Sequence, residues 1–384
     1  MPTVVLSAFD VASFPDGGGH FWVYMQYAEG LRRLGCEVYW LEQLRRGKDP
    51  DRAARALATF CERMERFGHS RHLLLYKRDE GAETPIQWVG VTAREAEAVL
   101  RRADLVLNFH YAIDPRLLAC ARRTALVDID PGLTQIWIST GQLRVPRHDV
   151  YFTIGETVGT PAARFPDCGL EWRHIRPPVC LSRWPYVHDP RCETFTTVAG
   201  WWSGKWLKLI ENGEEVCCDN NKRVAFLEYV QLPTKTNQPL ELALHLADSD
   251  GADRQLLEQH GWRVRHAREV ASDPDRYQAY IRTSRGEWSC AKPFFVKLQN
   301  AWVSDRTTCY LASGKPAVVQ HTGPSAYLPN GKGLFRFTSL EEAAAAFDAI
   351  NSAYERHCRA AREIAAAYFD AERVLTGILS EALP

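Results

Sequence analysis

Strand and helix patterns alternate along the first half of the sequence, and this alternation is the strongest constraint on its fold. A Gly-rich turn at residues 17–19 follows an apolar run, and residues 20–34 then carry apolar side chains at helical spacing. The strands predicted in this half cover residues 3–9, 37–41, 105–109, 125–129 and 150–153. Buried strands that alternate with helices predict a parallel sheet wound with helices, which is a Rossmann-like α/β domain.

Four prolines interrupt the pattern between residues 172 and 190, and the alternation restarts at 195–199. A chain of 384 residues suits two domains of about 150–200 residues each. The break is therefore predicted to be a linker between two such domains. The predicted divisions are a first domain at 1–178, a linker at 179–190, a second domain at 191–365 and a final helix at 366–384 that packs back on the first domain.

The balance of charged residues argues against a nucleic-acid-binding protein. The 47 Lys and Arg residues equal the 47 Asp and Glu residues, whereas a nucleic-acid binder normally has a basic surplus. No run of about 18 apolar residues is present, and the amino terminus lacks the features of a signal peptide. The 11 cysteines lack metal-binding spacing, which favours reduced thiols. We therefore expect a cytoplasmic protein without a metal site.

The segment from Trp302 to Gly323 carries the most specific chemistry. A helix predicted from Ser304 ends at Gly314, a Lys-Pro turn follows, and a strand leads to Thr322 and Gly323. A helix amino terminus presents free N–H groups that suit a diphosphate, and ligands of open sheets bind beyond the carboxyl ends of strands. The side chains that would add hydrogen bonds or charge there are Ser304, Asp305, Arg306 and Thr307. An ordinary helix–turn–strand unit without a ligand explains the same pattern.

This segment resembles the nucleotide-sugar site of GT-B glycosyltransferases, and residues 327–343 continue the same layout. The resemblance is strongest to a group of uncharacterised bacterial glycosyltransferase-like proteins. The shared motifs are Ser284-Arg-Gly-Glu287, Ser304-Asp-Arg306, Tyr310-Leu-Ala-Ser-Gly314 and Tyr368-Phe-Asp370. The resemblance spans nearly the whole chain and implies two Rossmann-like domains facing across a cleft. It also implies a nucleotide sugar, linked to UDP or dTDP, as co-substrate and no further cofactor.

One departure from that resemblance favours an inverting reaction. Retaining GT-B enzymes usually carry two glutamates at positions occupied here by Ala301 and Cys309. Inverting members instead carry a His in a Gly-His turn after the first strand, and this chain has Gly19-His20 there. A neutral imidazole near pH 7 takes the proton of an acceptor hydroxyl as the hydroxyl attacks the anomeric carbon. His20 is therefore predicted to be the general base, although a helix-starting, solvent-facing His explains the turn as well.

A carboxylate would orient His20 and stabilise its protonated form. Asp104, at the start of a later strand, is the predicted partner, and Asp10 and Asp16 in the loop before the glycines are alternatives. His110 ends the strand 105–109, so it is a candidate acceptor ligand or an alternative base, with a structural role as the competing explanation.

The remaining candidates follow from their positions in this layout. The other donor-side candidates are Gly18, Gly19, Lys205, Arg285, Glu287, Lys292, Thr322 and Gly323. The acceptor-side candidates are His110, Asp128, Asp130 and Trp22. The Asp-x-Asp runs at 128–130 and 248–250 invite a metal interpretation, but GT-B enzymes generally need no such metal. Packing and surface charge are the competing explanations throughout.

The predicted function is transfer of a sugar from a nucleotide-sugar donor to an acceptor hydroxyl, with inversion and without a metal. The alternatives are a UDP-sugar 2-epimerase on the same fold, a non-catalytic sugar or nucleotide binder, and a DNA-modifying glycosyltransferase. Small molecules, peptides and glycans all remain open as acceptors. The aromatic helix face of Phe21, Trp22, Tyr24 and Tyr27 predicts either an apolar acceptor wall or a packing core.

Overall fold

Two parallel sheets, each covered by helices, make up the protein. The computed structural model describes residues 1–45, 49–78, 84–202, 206–211 and 214–383. Lys205, a predicted donor ligand, lies outside the described residues. Among the described helices, none is long and apolar enough to cross a membrane.

Eight strands and five α-helices lie in the described part of the first domain. The strands are β1 (Thr3–Ser7), β2 (Glu37–Gln43), β3 (Leu73–Lys77), β4 (Gln87–Val89), β5 (Leu105–Asn108), β6 (Thr124–Asp128), β7 (Val150–Thr153) and β8 (Trp172–His174). The helices are α1 (Gly18–Arg33), α2 (Pro50–Arg66), α3 (Ala93–Arg102), α4 (Pro115–Leu118) and α5 (Leu133–Ser139). The central strands β1, β5 and β6 are buried at every position, as expected for a parallel sheet covered on both faces.

The second domain repeats this design. Its strands are β9 (Phe195–Gly200), β10 (Trp206–Glu211), β11 (Glu214–Asp219), β12 (Leu240–His245), β13 (Arg263–His266), β14 (Gly286–Ser289), β15 (Ala317–Gln320) and β16 (Leu334–Phe337). Its helices are α6 (Lys222–Glu228), α7 (Gly251–Gln259), α8 (Ala267–Ala271), α9 (Pro274–Arg282), α10 (Pro293–Leu298), α11 (Asp305–Ala312), α12 (Leu340–Ser352) and α13 (Tyr354–Ile364). A π-helical turn (Ala365–Phe369) then leads to α14 (Ala371–Ala382). Strands β10 and β11 form a separate antiparallel hairpin.

The strand orders place a crevice at the carboxyl edge of each sheet. The first sheet runs β4-β3-β2-β1-β5-β6-β7-β8, with only β4 antiparallel, and the second runs β13-β12-β9-β14-β15-β16. In each sheet the first strand of the domain is internal, so the connections leave it in opposite directions. Ligands of open α/β sheets bind at such switch points. The alternation therefore confirms the predicted fold class of two Rossmann-like domains.

The segment predicted as a linker packs tightly. Residues 175–194 connect the sheets, and β8 lies within the proline-rich stretch that sequence reasoning left without structure. Trp184 is fully buried, with its ring 5.2 Å from that of Trp22 in α1 and 6.1 Å from that of Tyr277 in α9. The connection thus forms part of the core that joins the two domains.

The last helix returns to the first domain. Gly30 of α1 gives it room, because a Cβ at that position would lie 2.4 Å from Leu375 and 2.9 Å from Ala371. Arg33 of α1 pairs with Glu372 at 2.5 Å. Helix α14 therefore crosses from the second sheet to the outer face of α1.

Candidate functional site

A cleft of about 1030 Å³ lies between the domains, at the carboxyl ends of both sheets. The loops after β1, β5 and β6 border it on one side, and the ends of β9, β12 and β14 border it on the other. Ligand pockets for drug-sized molecules span about 300–1,000 Å³, so this cleft has room for one large or two small ligands.

His20 lies in the first turn of α1 and borders the cleft. Its Nε2 is 2.9 Å from the carbonyl oxygen of Phe9. A carbonyl only accepts, so we assign the proton to Nε2, which leaves Nδ1 as the basic nitrogen. Burial lowers the pKa of His20 below its usual value, although the Phe9 carbonyl, Asp10 and Asp305 oppose this shift. The neutral imidazole that a general base needs is therefore the dominant form at pH 7.

The structure does not bring Asp104 to His20. The Asp104 carboxylate accepts hydrogen bonds from the backbone N–H of Thr3 at 2.8 Å and from Arg122 at 3.0 Å. These partners lie at the amino edge of the first sheet, whereas His20 lies at its carboxyl edge. Asp104 precedes β5, and residues that precede a parallel strand lie at the edge away from the cleft, which excludes the predicted pairing.

The two alternative carboxylates have other partners. Asp10 pairs with Arg45 at 3.1 Å and Asp16 pairs with Arg268 at 3.0 Å. Asp10 has a φ of 62°, an uncommon conformation for a residue with a side chain, directly after the carbonyl that binds His20. A backbone carbonyl therefore takes the orienting role that sequence reasoning gave to a carboxylate.

His110 follows β5 and also borders the cleft. Its ring centroid is 5.0 Å from that of Phe9, and its backbone N–H donates to Asn108 at 3.0 Å. Burial, with Arg45 and Arg78 nearby, lowers the pKa of His110 to about 4. His110 is thus neutral at pH 7.

Three cationic side chains line the opposite wall: Lys222, Lys292 and Arg306. Burial lowers the pKa of Lys222 to about 7, and the nearby charges of Arg306 and Lys292 contribute to the shift. Like charges gathered in a partly dehydrated cleft favour an anion that neutralises them. Sequence reasoning missed Lys222. The feature of the sequence that could have indicated it is its position at the start of α6, directly after the β10–β11 hairpin.

Arg306 is held mainly by its own domain. Its guanidinium donates to Glu287 at 2.7 Å, to the carbonyl of Val198 at 2.9 Å and to Ser289 at 2.8 Å. Glu287 is fully buried, so this is an internal ion pair at the cleft wall. Glu287 therefore positions Arg306 and does not line the cleft as a donor ligand.

The start of α11 is only partly available to a ligand. Ser304 caps the helix by accepting from the backbone N–H of Arg306 at 3.2 Å. Ser304 and Asp305 border the cleft, whereas Thr307 is buried and does not. Burial raises the pKa of Asp305, and the neighbouring Arg306, Lys222 and His20 oppose this.

Three further donor candidates lie outside the cleft. Thr322 donates to the carbonyl of Trp302 at 2.6 Å, and a Cβ on Gly323, whose φ is +133°, would lie 2.5 Å from the carbonyl of Gln299. These two residues therefore shape the turn that leads to α11. Arg285 lies at the amino end of β14, where it bonds to Asn351 at 2.7 Å, so it is remote from the cleft for the same reason as Asp104.

The glycines and Trp22 of α1 serve the interface between the domains. A Cβ on Gly18 would lie 2.5 Å from the carbonyl of Asp273, and one on Gly19 would lie 2.9 Å from the Tyr277 ring. Trp22 is 2% exposed and donates to the carbonyl of Pro274 at 3.0 Å. Gly19 borders the cleft, but Gly18 and Trp22 do not. The aromatic face of α1 at Trp22 is thus packing core, which corrects its predicted role as an acceptor contact.

The two aspartates at the carboxyl end of β6 differ in role. Asp128 is fully buried and accepts from Thr134 at 2.7 Å, Gln135 at 2.9 Å and Thr153 at 2.9 Å. It therefore fixes the loop and cannot contact an acceptor. Asp130 borders the cleft and pairs with Lys292 of the other domain at 3.5 Å. Among the described residues, no group of three His, Cys, Asp or Glu side chains is placed to hold a metal ion.

Comparisons with known proteins agree with this architecture. No family model and no curated protein sequence matches the chain. Similar solved structures exist. An alpha-glucosyltransferase in complex with UDP and a 13-mer DNA containing an HMU base has a TM-score of 0.62 at 10% identity, with 99% of each chain covered. Anabaena Alr3699/HepE in complex with UDP-glucose has a TM-score of 0.60 at 12% identity, covering 99% of this chain and 100% of that one. OtsA in its apo form has a TM-score of 0.54 at 10% identity, with 99% of each chain covered. At these identities the likeness establishes the fold, which is the two-domain GT-B fold.

Proposed function

We propose that this protein is a glycosyltransferase that moves a sugar from a nucleotide-sugar donor to an acceptor hydroxyl. One observation carries the proposal: a neutral His20 and a cluster of three cations, Lys222, Lys292 and Arg306, face one cleft from opposite domains. The GT-B fold, and the presence of UDP and UDP-glucose in structures similar to this one, agree with a donor site on one domain and an acceptor site on the other.

The cation cluster is suited to a nucleoside diphosphate. Breaking the bond between the anomeric carbon and the phosphate oxygen leaves additional negative charge on the diphosphate. Cations fixed in a partly dehydrated site stabilise that developing charge more than the ground state. Lys222 begins α6, Lys292 follows β14 and Arg306 lies in the first turn of α11, and all three border the cleft.

His20 is suited to activate the acceptor. The acceptor hydroxyl oxygen forms a bond to the anomeric carbon, its proton moves to Nδ1 of His20, and the nucleotide diphosphate leaves with the electron pair. A single displacement of this kind inverts the anomeric configuration. The Phe9 carbonyl keeps Nε2 protonated and so directs Nδ1 as the acceptor of the proton.

The direct test is incubation of the purified chain with UDP- and dTDP-linked sugars, with and without an acceptor panel. Slow release of free nucleotide without an acceptor, and faster release with one, is the expected result. Proton NMR of the product then reports whether the anomeric configuration is inverted. Interconversion of the donor sugar without nucleotide release would instead support the 2-epimerase, and tight binding without turnover would support a non-catalytic binder.

The pH dependence of transfer has a defined shape under this proposal. Protonation of His20 removes the base, so kcat/KM is expected to fall below its lowered pKa, at pH values under 6.5. Deprotonation of Lys222 removes a phosphate-binding charge, so kcat/KM for the donor also falls above about pH 7. Bound diphosphate raises the Lys222 pKa, and the alkaline limb of kcat therefore lies at higher pH than that of kcat/KM.

Lys222→Arg is the matched control for the alkaline limb, because arginine stays charged at all accessible pH values. The variant is expected to lose that limb and keep the acidic one. An unchanged alkaline limb in Lys222→Arg shows that another group titrates.

Removing the negative charge of Asp130 next to Lys292 is expected to increase donor affinity. Asp130 and Lys292 pair at 3.5 Å with side chains 31% and 28% exposed, so the carboxylate competes with a diphosphate for the lysine. Asp130→Asn is expected to tighten UDP or dTDP binding by about 1.5- to 5-fold, the range of a partly exposed ion pair. Lys222→Met is expected to weaken it. Calorimetric titration of both nucleotides measures these changes.

Asp348→Asn provides the control for net charge, since Asp348 is exposed on α12 and does not line the cleft. It is expected to leave nucleotide affinity unchanged. Weaker nucleotide binding by Asp130→Asn contradicts the competition and places Asp130 among the donor ligands.

A further inference from the structure

The rings of Phe9 and Phe14 flank the base assigned above, and both are more exposed than large apolar side chains usually are. Phe9 is 36% exposed and Phe14 is 40% exposed, and both border the cleft. The Phe14 ring centroid is 5.9 Å from that of His20 in an edge-on arrangement, and the Phe9 ring centroid is 5.0 Å from that of His110. Aromatic rings thus border the space next to His20, and the Arg45 guanidinium lies 4.8 Å from the centroid of the Phe9 ring.

Backbone geometry holds these rings in place. Gly17 makes the Phe14 position possible, because a Cβ on Gly17 would lie 2.3 Å from the Phe14 ring. On its other side the Phe14 ring centroid lies 6.0 Å from that of His245, which ends β12 in the second domain. Phe9 is anchored through its own carbonyl, which binds His20 at 2.9 Å. Both rings therefore remain at the cleft instead of folding into the core.

Two of the acidic side chains at the cleft are held in ion pairs. Asp16 pairs with Arg268 at 3.0 Å and Asp130 pairs with Lys292 at 3.5 Å. Further apolar side chains extend the same first-domain wall: Tyr111, Ile129, Trp137 and Leu143. A glycan or peptide carries many polar groups, each of which loses free energy if it is buried without a partner. The apolar part of the first-domain wall therefore disfavours such acceptors and favours a planar, largely apolar one.

Resting on the proposed function, we infer that the acceptor is a small aromatic alcohol or phenol. Its ring packs against Phe9 and Phe14, and its hydroxyl is directed at Nδ1 of His20. In the transfer step the hydroxyl oxygen bonds to the anomeric carbon, its proton passes to Nδ1, and the nucleotide diphosphate leaves. The cleft of about 1030 Å³ accommodates such a molecule beside a nucleotide sugar.

The first measurement is direct binding, which does not depend on activity. Titration of the protein with 2-naphthol and 4-methylumbelliferone, in the presence of UDP, is expected to show saturable binding. Phe14→Ala is expected to weaken it about 5- to 50-fold, the loss that corresponds to one aromatic contact and its buried apolar area. Phe9→Ala keeps the backbone carbonyl that orients His20. A lower affinity of this variant for the aromatic ligands therefore measures the contribution of the Phe9 ring alone.

Two variants separate an aromatic contact from a general effect. Phe14→Leu preserves an apolar side chain but removes the ring, and it is expected to bind less tightly than the wild type. Trp202→Ala removes an aromatic side chain that is 52% exposed and does not border the cleft, and it is expected to bind like the wild type. Equal affinities for Phe14→Ala and Trp202→Ala, or no saturable binding by the wild type, overturn the inference.

Transfer assays with matched acceptors distinguish this inference from the proposed function. The wild type is expected to glycosylate 2-naphthol and 4-methylumbelliferone in preference to methyl glucoside, a serine-containing peptide and a DNA duplex with hydroxymethylated pyrimidines. Donor turnover with preference for the glucoside, the peptide or the DNA leaves the transferase proposal standing and overturns the aromatic acceptor. Saturable aromatic binding that depends on Phe14, without turnover of any donor, supports the subsite and contradicts the transferase.

Discussion

Replacing His20 with alanine is expected to reduce sugar transfer by about 10²- to 10⁴-fold, the usual contribution of a general base. The loss should appear in kcat, because the proposed role of the imidazole is to take the acceptor proton, and the cation cluster proposed to bind the donor lies on the other domain. Nucleotide affinity of His20→Ala should therefore stay close to that of the wild type. Steady-state transfer assays and calorimetry with UDP or dTDP measure the two effects separately.

His110→Ala is the informative comparison, since His110 borders the same cleft but has a pKa lowered to about 4. A base with so low a pKa accepts a proton poorly at pH 7, so this variant is expected to lose much less activity. If His20→Ala retains near wild-type turnover and His110→Ala does not, the base is His110. If both retain turnover, neither histidine carries the proton.

Replacing Arg306 with alanine is expected to lower the free energy of unfolding of the second domain. This loss of stability has to be measured before any change in donor affinity is assigned to Arg306. The substitution leaves the fully buried Glu287 without its 2.7 Å partner and also removes the donors to Val198 and Ser289. Removing one partner of a buried ion pair typically costs about 3–5 kcal/mol. Urea unfolding followed by circular dichroism measures the change, and the midpoint should fall without a change in slope.

The double variant Glu287→Gln with Arg306→Met tests the cause of that loss. Removing both charges relieves the unpaired carboxylate, so the double variant should be more stable than Arg306→Ala. Arg191→Ala is the surface control, because the side chain of Arg191 is 88% exposed in its pair with Asp189, and its unfolding midpoint should not change. Wild-type stability of Arg306→Ala would contradict a structural role for the pair and return Arg306 to the donor ligands alone.

The periodicity of the sequence was sufficient for most of the fold. Predicted strands at 37–41, 105–109 and 150–153 coincide closely with β2, β5 and β7. Short edge elements such as β4 and β8 were missed, because three residues at a sheet edge leave no periodic pattern. The resemblance to GT-B proteins and the two rounds of alternation predicted the same fold, and the structure confirms it.

Strand direction could have excluded two candidates in advance. Asp104 and Arg285 both precede a parallel strand, and such positions lie at the amino edge, away from the ligand crevice. His20, His110 and Lys292 follow strands, and all three border the cleft. Following a strand was not sufficient, because Thr322 and Gly323 follow β15 and lie outside the cleft.

The sequence by itself determined which residues are apolar, where strands and helices alternate and which turns carry glycine or histidine. These properties depend on neighbours within a few positions, so they can be read locally. Only the tertiary structure decided which groups meet. It joined Glu287 to Arg306, gave His20 the carbonyl of Phe9 in place of Asp104, and brought Lys222 to the cation cluster. These contacts depend on how two sheets and their loops pack, and burial then sets the charge state of each group, which no local pattern encodes.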